Sequence, residues 1–157
     1  MKPELYARYH QVYGRFSTVK LFPIFLMFCQ KIQQHAPKST TKITDVGAGT
    51  GLFTSLLAQR FNDTKTSLIE PSIYMMPYAK TKLATEQIHF YQFTIEESLE
   101  LVPYQDIFIF QRSLYALSGN FDYFKELADQ RSFKISENGI VGIFEIGQLH
   151  DIPTIYE

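Results

Sequence analysis

The chain has one cysteine, Cys29, among its 157 residues, so an internal disulfide is excluded and packing alone must hold the fold. Its neighbours Leu26, Met27 and Phe28 make that thiol a small buried hydrophobe inside an apolar helix, and a chain without disulfides suits a reducing compartment. Charge of either sign is also lacking in excess. The 15 Lys and Arg residues stand against 16 Asp and Glu, a net charge of -1, and the pI is near 6.4. Polyanion binding normally shows as a basic excess or stripe, so no nucleic-acid partner is expected. Long hydrophobic runs are missing too. The longest, residues 21–29, is interrupted by Pro23 and falls far short of the roughly 20 residues of a membrane span. It also begins too deep, with no small-residue cleavage site after it, to read as a secretory signal. The four histidines, His10, His35, His89 and His150, lack the paired spacing of zinc sites, so no metal is expected. No repeat or low-complexity tract is visible. The expectation is a cytoplasmic protein without a membrane segment.

What is present has the balance of one globular domain, with 45% hydrophobic and 20% charged residues. Leu5, Tyr6, Tyr9, Val12, Tyr13 and Phe16 recur at steps of three and four, one face of a helix. A second helix is expected over 17–34, and Pro37 with Lys38, Ser39 and Thr40 marks a break. Residues 1–36 therefore read as a helical cap or lid and 37–157 as the core, within one compact domain. Beyond the break, short apolar runs predict strands at 42–46, 66–70, 88–93, 106–110 and 139–146. Leu52, Phe53, Leu56, Leu57 and Phe61 form a helical face between the first two, and Ile73, Met76, Tyr78 and Leu83 suggest another, interrupted by Pro77. Asn120 caps an expected helix through Phe121, Phe124, Leu127 and Ala128 that ends near Asn138 and Gly139. Alternation of this kind predicts an α/β, Rossmann-like fold: a mainly parallel sheet, helices on both faces, and right-handed crossovers.

The informative segment is Asp45-Val46-Gly47-Ala48-Gly49-Thr50-Gly51, where a strand runs into three alternating glycines and a helix follows at once. Glycine permits a tight turn and lets a ligand approach main chain, and free N–H groups at a helix start attract a polar group. A ligand at the carboxyl end of a strand is the general rule for open α/β sheets. Dinucleotide sites read G-x-G-x-x-G, whereas Leu52 stands here where their third glycine belongs. Pyrophosphate is thereby disfavoured. Asp45, two residues before the first glycine, suits the cationic amino group of an amino-acid-bearing cofactor. Glu70, at the end of the second strand, is placed to reach ribose hydroxyls, a feature common to both cofactor classes.

Asp45-x-Gly47-x-Gly49-x-Gly51 followed by Leu68-Ile69-Glu70-Pro71-Ser72 resembles the first two motifs of class I S-adenosylmethionine-dependent methyltransferases. Asp106 to Phe110 with Gln111, Leu114 and Tyr115 resembles the family's fourth strand and the loop facing the methyl group, and Gly139 to Glu145 its fifth strand. The resemblance spans roughly residues 40 to 147. It implies that Asp45, Gly47, Ala48, Gly49 and Gly51 hold the methionine part of S-adenosylmethionine, and of its product S-adenosylhomocysteine. Glu70 and Pro71 would lie at the ribose, Gln111 at the methyl-facing loop, and Tyr13, with Tyr6 and Tyr9, on a lid. The family often carries an acid for the adenine amino group after the third strand, where Thr94 stands here, so Ile95 packing, Glu96 or backbone would serve instead. Tyr115 and His10 are the candidates for catalysis, and Arg112 joins Gln111 and Tyr115 on the substrate side. Plainer readings exist for each: a turn-bonding acid at Asp45, a solvated strand end at Glu70, simple packing for the tyrosines.

The function implied is methyl transfer to a small-molecule acceptor. The alternatives are a non-catalytic S-adenosylmethionine-binding subunit or fragment completed by a partner chain, and an NAD-dependent oxidoreductase. The family adds a further helix and an antiparallel hairpin after the fifth strand, and residues 147–157 are too few for both strands, so the chain reads as truncated with the hairpin missing. The strand 139–146 would then be an open edge. Such edges are normally covered, here by a second copy in a homo-oligomer, by another chain, or by the tail 152–156.

Overall fold

A computed structural model of the chain describes residues 2–36, 38, 40–84, 87–111, 113, 134–144 and 154–156, with backbone alone at 3, 6, 9–21, 144 and 154–156. Helix α1 runs over Pro3–His35 as one element, with Pro23 inside it. The sequence reading divides this stretch in two, but the helical pattern is continuous and one internal proline does not end it. What ends it is Pro37. The preceding Ala36 is extended (φ -62°, ψ 141°) and donates its N–H to Ile32, as a residue before proline is driven to do.

Strands β1 (Lys42–Val46), β2 (Lys65–Ile69), β3 (Ile88–Tyr91), β4 (Gln105–Gln111) and β5 (Ile135–Phe144) alternate with α2 (Leu52–Arg60), α3 (Met76–Lys82) and α4 (Ile95–Leu101), and β6 (Thr154–Tyr156) closes the order. The sheet runs β3-β2-β1-β4-β5-β6, parallel through β5 and antiparallel at β6. Chain order reverses at β1, which pairs Val46 with Ile69 on one side and with Phe110 on the other. The Rossmann-like expectation holds.

Alternation along the strands separates the two faces of the sheet. Val46, Ile69, Phe108, Phe110 and Ile143 meet α4 through Ile95, Leu99 and Val102. On the opposite face Ile43, Ile107, Ile109 and Ile140 pack against Phe25, Phe28, Cys29 and Ile32 of α1 and Phe53 and Leu57 of α2. The second half of α1 thus packs into this core. Phe25 meets Phe53 edge-on at 4.8 Å. Cys29 is fully buried, and burial, opposed by the Arg60 charge, pushes its thiol up to about 12, which leaves it inert.

Three local readings are corrected. Pro77 sits in the first turn of α3 and does not interrupt it, because the first helical N–H groups have no intrahelical partner to lose. Helix α4, absent from the sequence reading, is started by Thr94 in a capping box with Glu97. Ile135 to Asn138, read as the end of a helix, belongs to β5, whose register against β4 shifts between Gln105 and Ile107; Asn138 takes φ 63° there. The helix expected over 121–128 lies outside the described residues.

The β5 edge is taken by the tail. Thr154, Ile155 and Tyr156 pair with Ile143, Gly142 and Val141, which is the third of the three covers expected for that strand.

Candidate cofactor site

The loop after β1 takes left-handed backbone at all three glycines, with φ of 69°, 58° and 69° at Gly47, Gly49 and Gly51. Side chains are strained in that region, yet the space around each glycine differs. A Cβ on Gly47 would collide with Cβ of Ser113, in the segment after β4. One on Gly51 would come within 2.7 Å of Leu83 and 3.1 Å of Ala79, where α3 packs on the loop. Around a Cβ on Gly49 no atom of the described residues lies within 4 Å. The space beside Gly47 and Gly51 is thus taken by the protein itself, and that beside Gly49 is open among the described residues.

The loop amides are committed as well. Gly47 and Ala48 donate to the Ile69 carbonyl at 2.9 and 3.1 Å, and Gly51 donates to Ala48 at 3.0 Å. Gly49 donates to Glu70 Oε2 at 2.8 Å. Expected free N–H groups are thus used internally at these four residues. A cradle for pyrophosphate needs such groups unpaired.

Glu70 follows β2 and is 7% exposed. Its second oxygen accepts from the Ser72 N–H at 2.8 Å, so backbone from two loops holds the carboxylate in one orientation. Burial raises its pKa, and the Ser72 and Gly49 bonds oppose the rise. A carboxylate accepts about four hydrogen bonds, which leaves capacity for a vicinal pair of hydroxyls.

Asp45 lies beneath the loop on β1, 1% exposed. Its Oδ2 accepts from Thr54 Oγ1 of α2 at 2.6 Å, while its Oδ1 is buried without a partner. Burial pushes the carboxyl up to about 7, with the Thr54 bond opposing and the Glu70 charge adding to the shift. Two carboxyls and one open glycine thus converge at the carboxyl ends of β1 and β2. The set suits a ligand with ribose hydroxyls and a cationic amino-acid end, since it offers acceptors and no phosphate cradle.

The methyltransferase domain model matches residues 44–128. The chain belongs to the methyltransferase domain family. No curated protein matches it by sequence. Among solved structures it is similar to the sugar N-methyltransferase KedS8 from Streptoalloteichus, at 16% identity and a TM-score of 0.62, covering 78% of this chain and 47% of that one. It is also similar to the plantazolicin methyltransferase BpumL in complex with S-adenosylhomocysteine, at 16% identity and a TM-score of 0.66, covering 83% and 49%. A precorrin 8w decarboxylase from Methanobacterium thermoautotrophicum shares the fold at 20% identity and a TM-score of 0.57, covering 78% and 63%. The chain spans about half to two thirds of the length of these structures. At such identities the likeness is one of fold.

In this methyltransferase domain the remaining described site candidates stand at or just beyond the carboxyl ends of β2, β3 and β4. Pro71 is exposed beside Glu70, and Gln111 is half-buried at the end of β4. Thr94 spends its hydroxyl on the Glu97 N–H at 3.3 Å and its own N–H on Glu97 Oε2 at 2.9 Å. Ile95 is 2% exposed and packs with Leu99 and Val102. The backbone of Tyr13 and His10 lies on α1, but their side chains, and all of Arg112 and Tyr115, fall outside the described residues. The sequence reading did not single out Thr54, which bonds Asp45, or Ser113, which packs against Gly47, because both contacts join residues from different elements. Among the described residues no helix is long and apolar enough to cross a membrane, and no three His, Cys, Asp or Glu side chains group to hold a metal ion.

Proposed function

We propose that this methyltransferase domain binds S-adenosylmethionine across the ends of β2, β1 and β4 and delivers its methyl group to a small-molecule acceptor. The observation that carries the reading is the open space at Gly49 beside the oriented carboxylate of Glu70. When bound, the cofactor supplies an electrophilic methyl group on a sulfonium. Glu70 holds the ribose hydroxyls, and Gly49 admits the sugar against main chain. Asp45 and Glu70, in their ionised forms, place negative potential beneath the cationic centre, an effect strengthened by low dielectric at buried groups.

Ile73 and Phe93, exposed at 61% and 43% after β2 and β3, take the purine edge beside Ile95. Tyr13 closes over the methionine end from α1, and Gln111 and Tyr115 meet the acceptor. Holding the acceptor in line with the methyl–sulfur bond is the protein's main contribution, since positioning alone lowers such barriers by several kcal/mol, roughly 7–11 in favourable cases. A small-molecule acceptor is supported by the substrates that KedS8 and BpumL are named for. The internal use of the Gly47, Ala48, Gly49 and Gly51 amides argues against the NAD reading.

Titration with S-adenosylhomocysteine tests the proposal. Saturable heat and a rise in Tm are expected for the wild type, and their loss in Glu70→Ala. A wild-type chain that shows neither is not a cofactor-binding methyltransferase. Binding without methyl transfer to any acceptor would instead support the non-catalytic reading.

A further inference from the structure

Gly47 lacks a side chain because Ser113 occupies the space where one would stand. Ser113 is 4% exposed, and a Cβ on Gly47 would lie 3.3 Å from its Oγ. That hydroxyl is buried and has no hydrogen-bond partner among the described residues. Unpartnered buried hydroxyls are rare in native proteins, and each calls for a reason. Asp45 Oδ1, on the strand leading into the same loop, is likewise buried and unpartnered. Two polar atoms flanking the glycine loop thus have bonding capacity that the described residues leave unused.

Sheet order gives the direction of a ligand that would use it. Glu70 follows β2, Gly47 and Gly49 follow β1, and Ser113 follows β4, and these strands are adjacent as β2-β1-β4. A nucleoside held by its ribose at Glu70 and lying over Gly49 therefore points its other end toward Gly47 and Ser113. A serine hydroxyl donates to a carboxylate and accepts from an ammonium. It offers nothing specific to a plain thioether. We propose that Ser113 is a binding residue for the amino-acid end of S-adenosylmethionine, its hydroxyl bonding a charged group there; this rests on the cofactor reading above. Gly47 is then the residue that lets Ser113 reach its post.

The test is calorimetry on the full chain and on Ser113→Ala, with S-adenosylhomocysteine and with methylthioadenosine, which has no amino-acid end, measured by competition where direct heat is small. Ser113→Ala is expected to lose about tenfold or more in affinity for S-adenosylhomocysteine, as a hydrogen bond to a charged group requires. It should keep its affinity for methylthioadenosine, and its ligand-free Tm should hold or rise. Ser113→Cys, which keeps the volume and bonds weakly, should behave as Ser113→Ala and serves if the alanine variant folds poorly. Unchanged affinity for S-adenosylhomocysteine, or an equal loss for both ligands, overturns the assignment of Ser113. Failure of the wild type to bind either ligand overturns the cofactor reading itself, a result visible before any variant is made.

Discussion

At the scale of single residues, the acidic pair shows how burial sets chemistry. Asp45 has a carboxyl pushed up to about 7, against roughly 3.9 in an unfolded chain. The folded protein therefore favours the neutral acid. The stability it contributes is complete below the unfolded value and is lost as pH rises through the folded one. Glu70, also raised, acts in the same direction. The expected outcome is a Tm that falls between pH 5 and pH 8 in the ligand-free protein. Asp45→Asn keeps an oxygen for Thr54 and cannot ionise, so it should lose most of that fall and melt above the wild type at pH 8. A wild-type Tm that climbs over the same range would contradict it. Both acids stand out in the sequence by their place relative to the glycines. Their states do not, because Thr54, Ser72 and the depth of burial are supplied by other elements.

At the scale of elements, local signals succeed where they act within a few residues. The break at Pro37 and the strand over 42–46 follow from such signals and appear as β1 (Lys42–Val46) and the end of α1. Helix α4 was equally legible in principle, since Thr94-x-x-Glu97 ahead of Leu99 is a start signal. Thr94→Ala removes the acceptor for the Glu97 N–H and is expected to cost roughly 1 kcal/mol, or about 2–4 °C in Tm for a chain of this size. Thermal melting of the variant checks this. Glu97→Ala should give a similar loss, and the double variant less than the sum, because the two bonds are reciprocal.

At the scale of the whole molecule, the sheet ends in a strand contributed by the tail. Pairing of Ile155 with Gly142 occupies part of the β5 edge, which weakens the reason for expecting a second copy or partner there. Ile155→Pro removes a ladder donor from a strand of three residues and should release it. The freed β5 edge should then pair between chains. The expected outcome is a solution mass that grows with concentration in the variant more than in the wild type, measured by light scattering. Equal masses for the two would mean that β6 does not shield this edge.

The glycine spacing, the acids at Asp45 and Glu70, and the strand and helix alternation were determined by the sequence, because turn conformation, side-chain alternation and helix periodicity are properties of neighbouring residues. Which glycine faces open space was decided only by tertiary structure. Ser113 fills the space at Gly47, and Leu83 with Ala79 fills that at Gly51, and these come from distant parts of the chain. The inward turn of Ile95 and the seating of the tail on β5 belong to the same class. Each depends on what lies across a contact, and contacts between remote segments leave no periodicity in the chain that makes them.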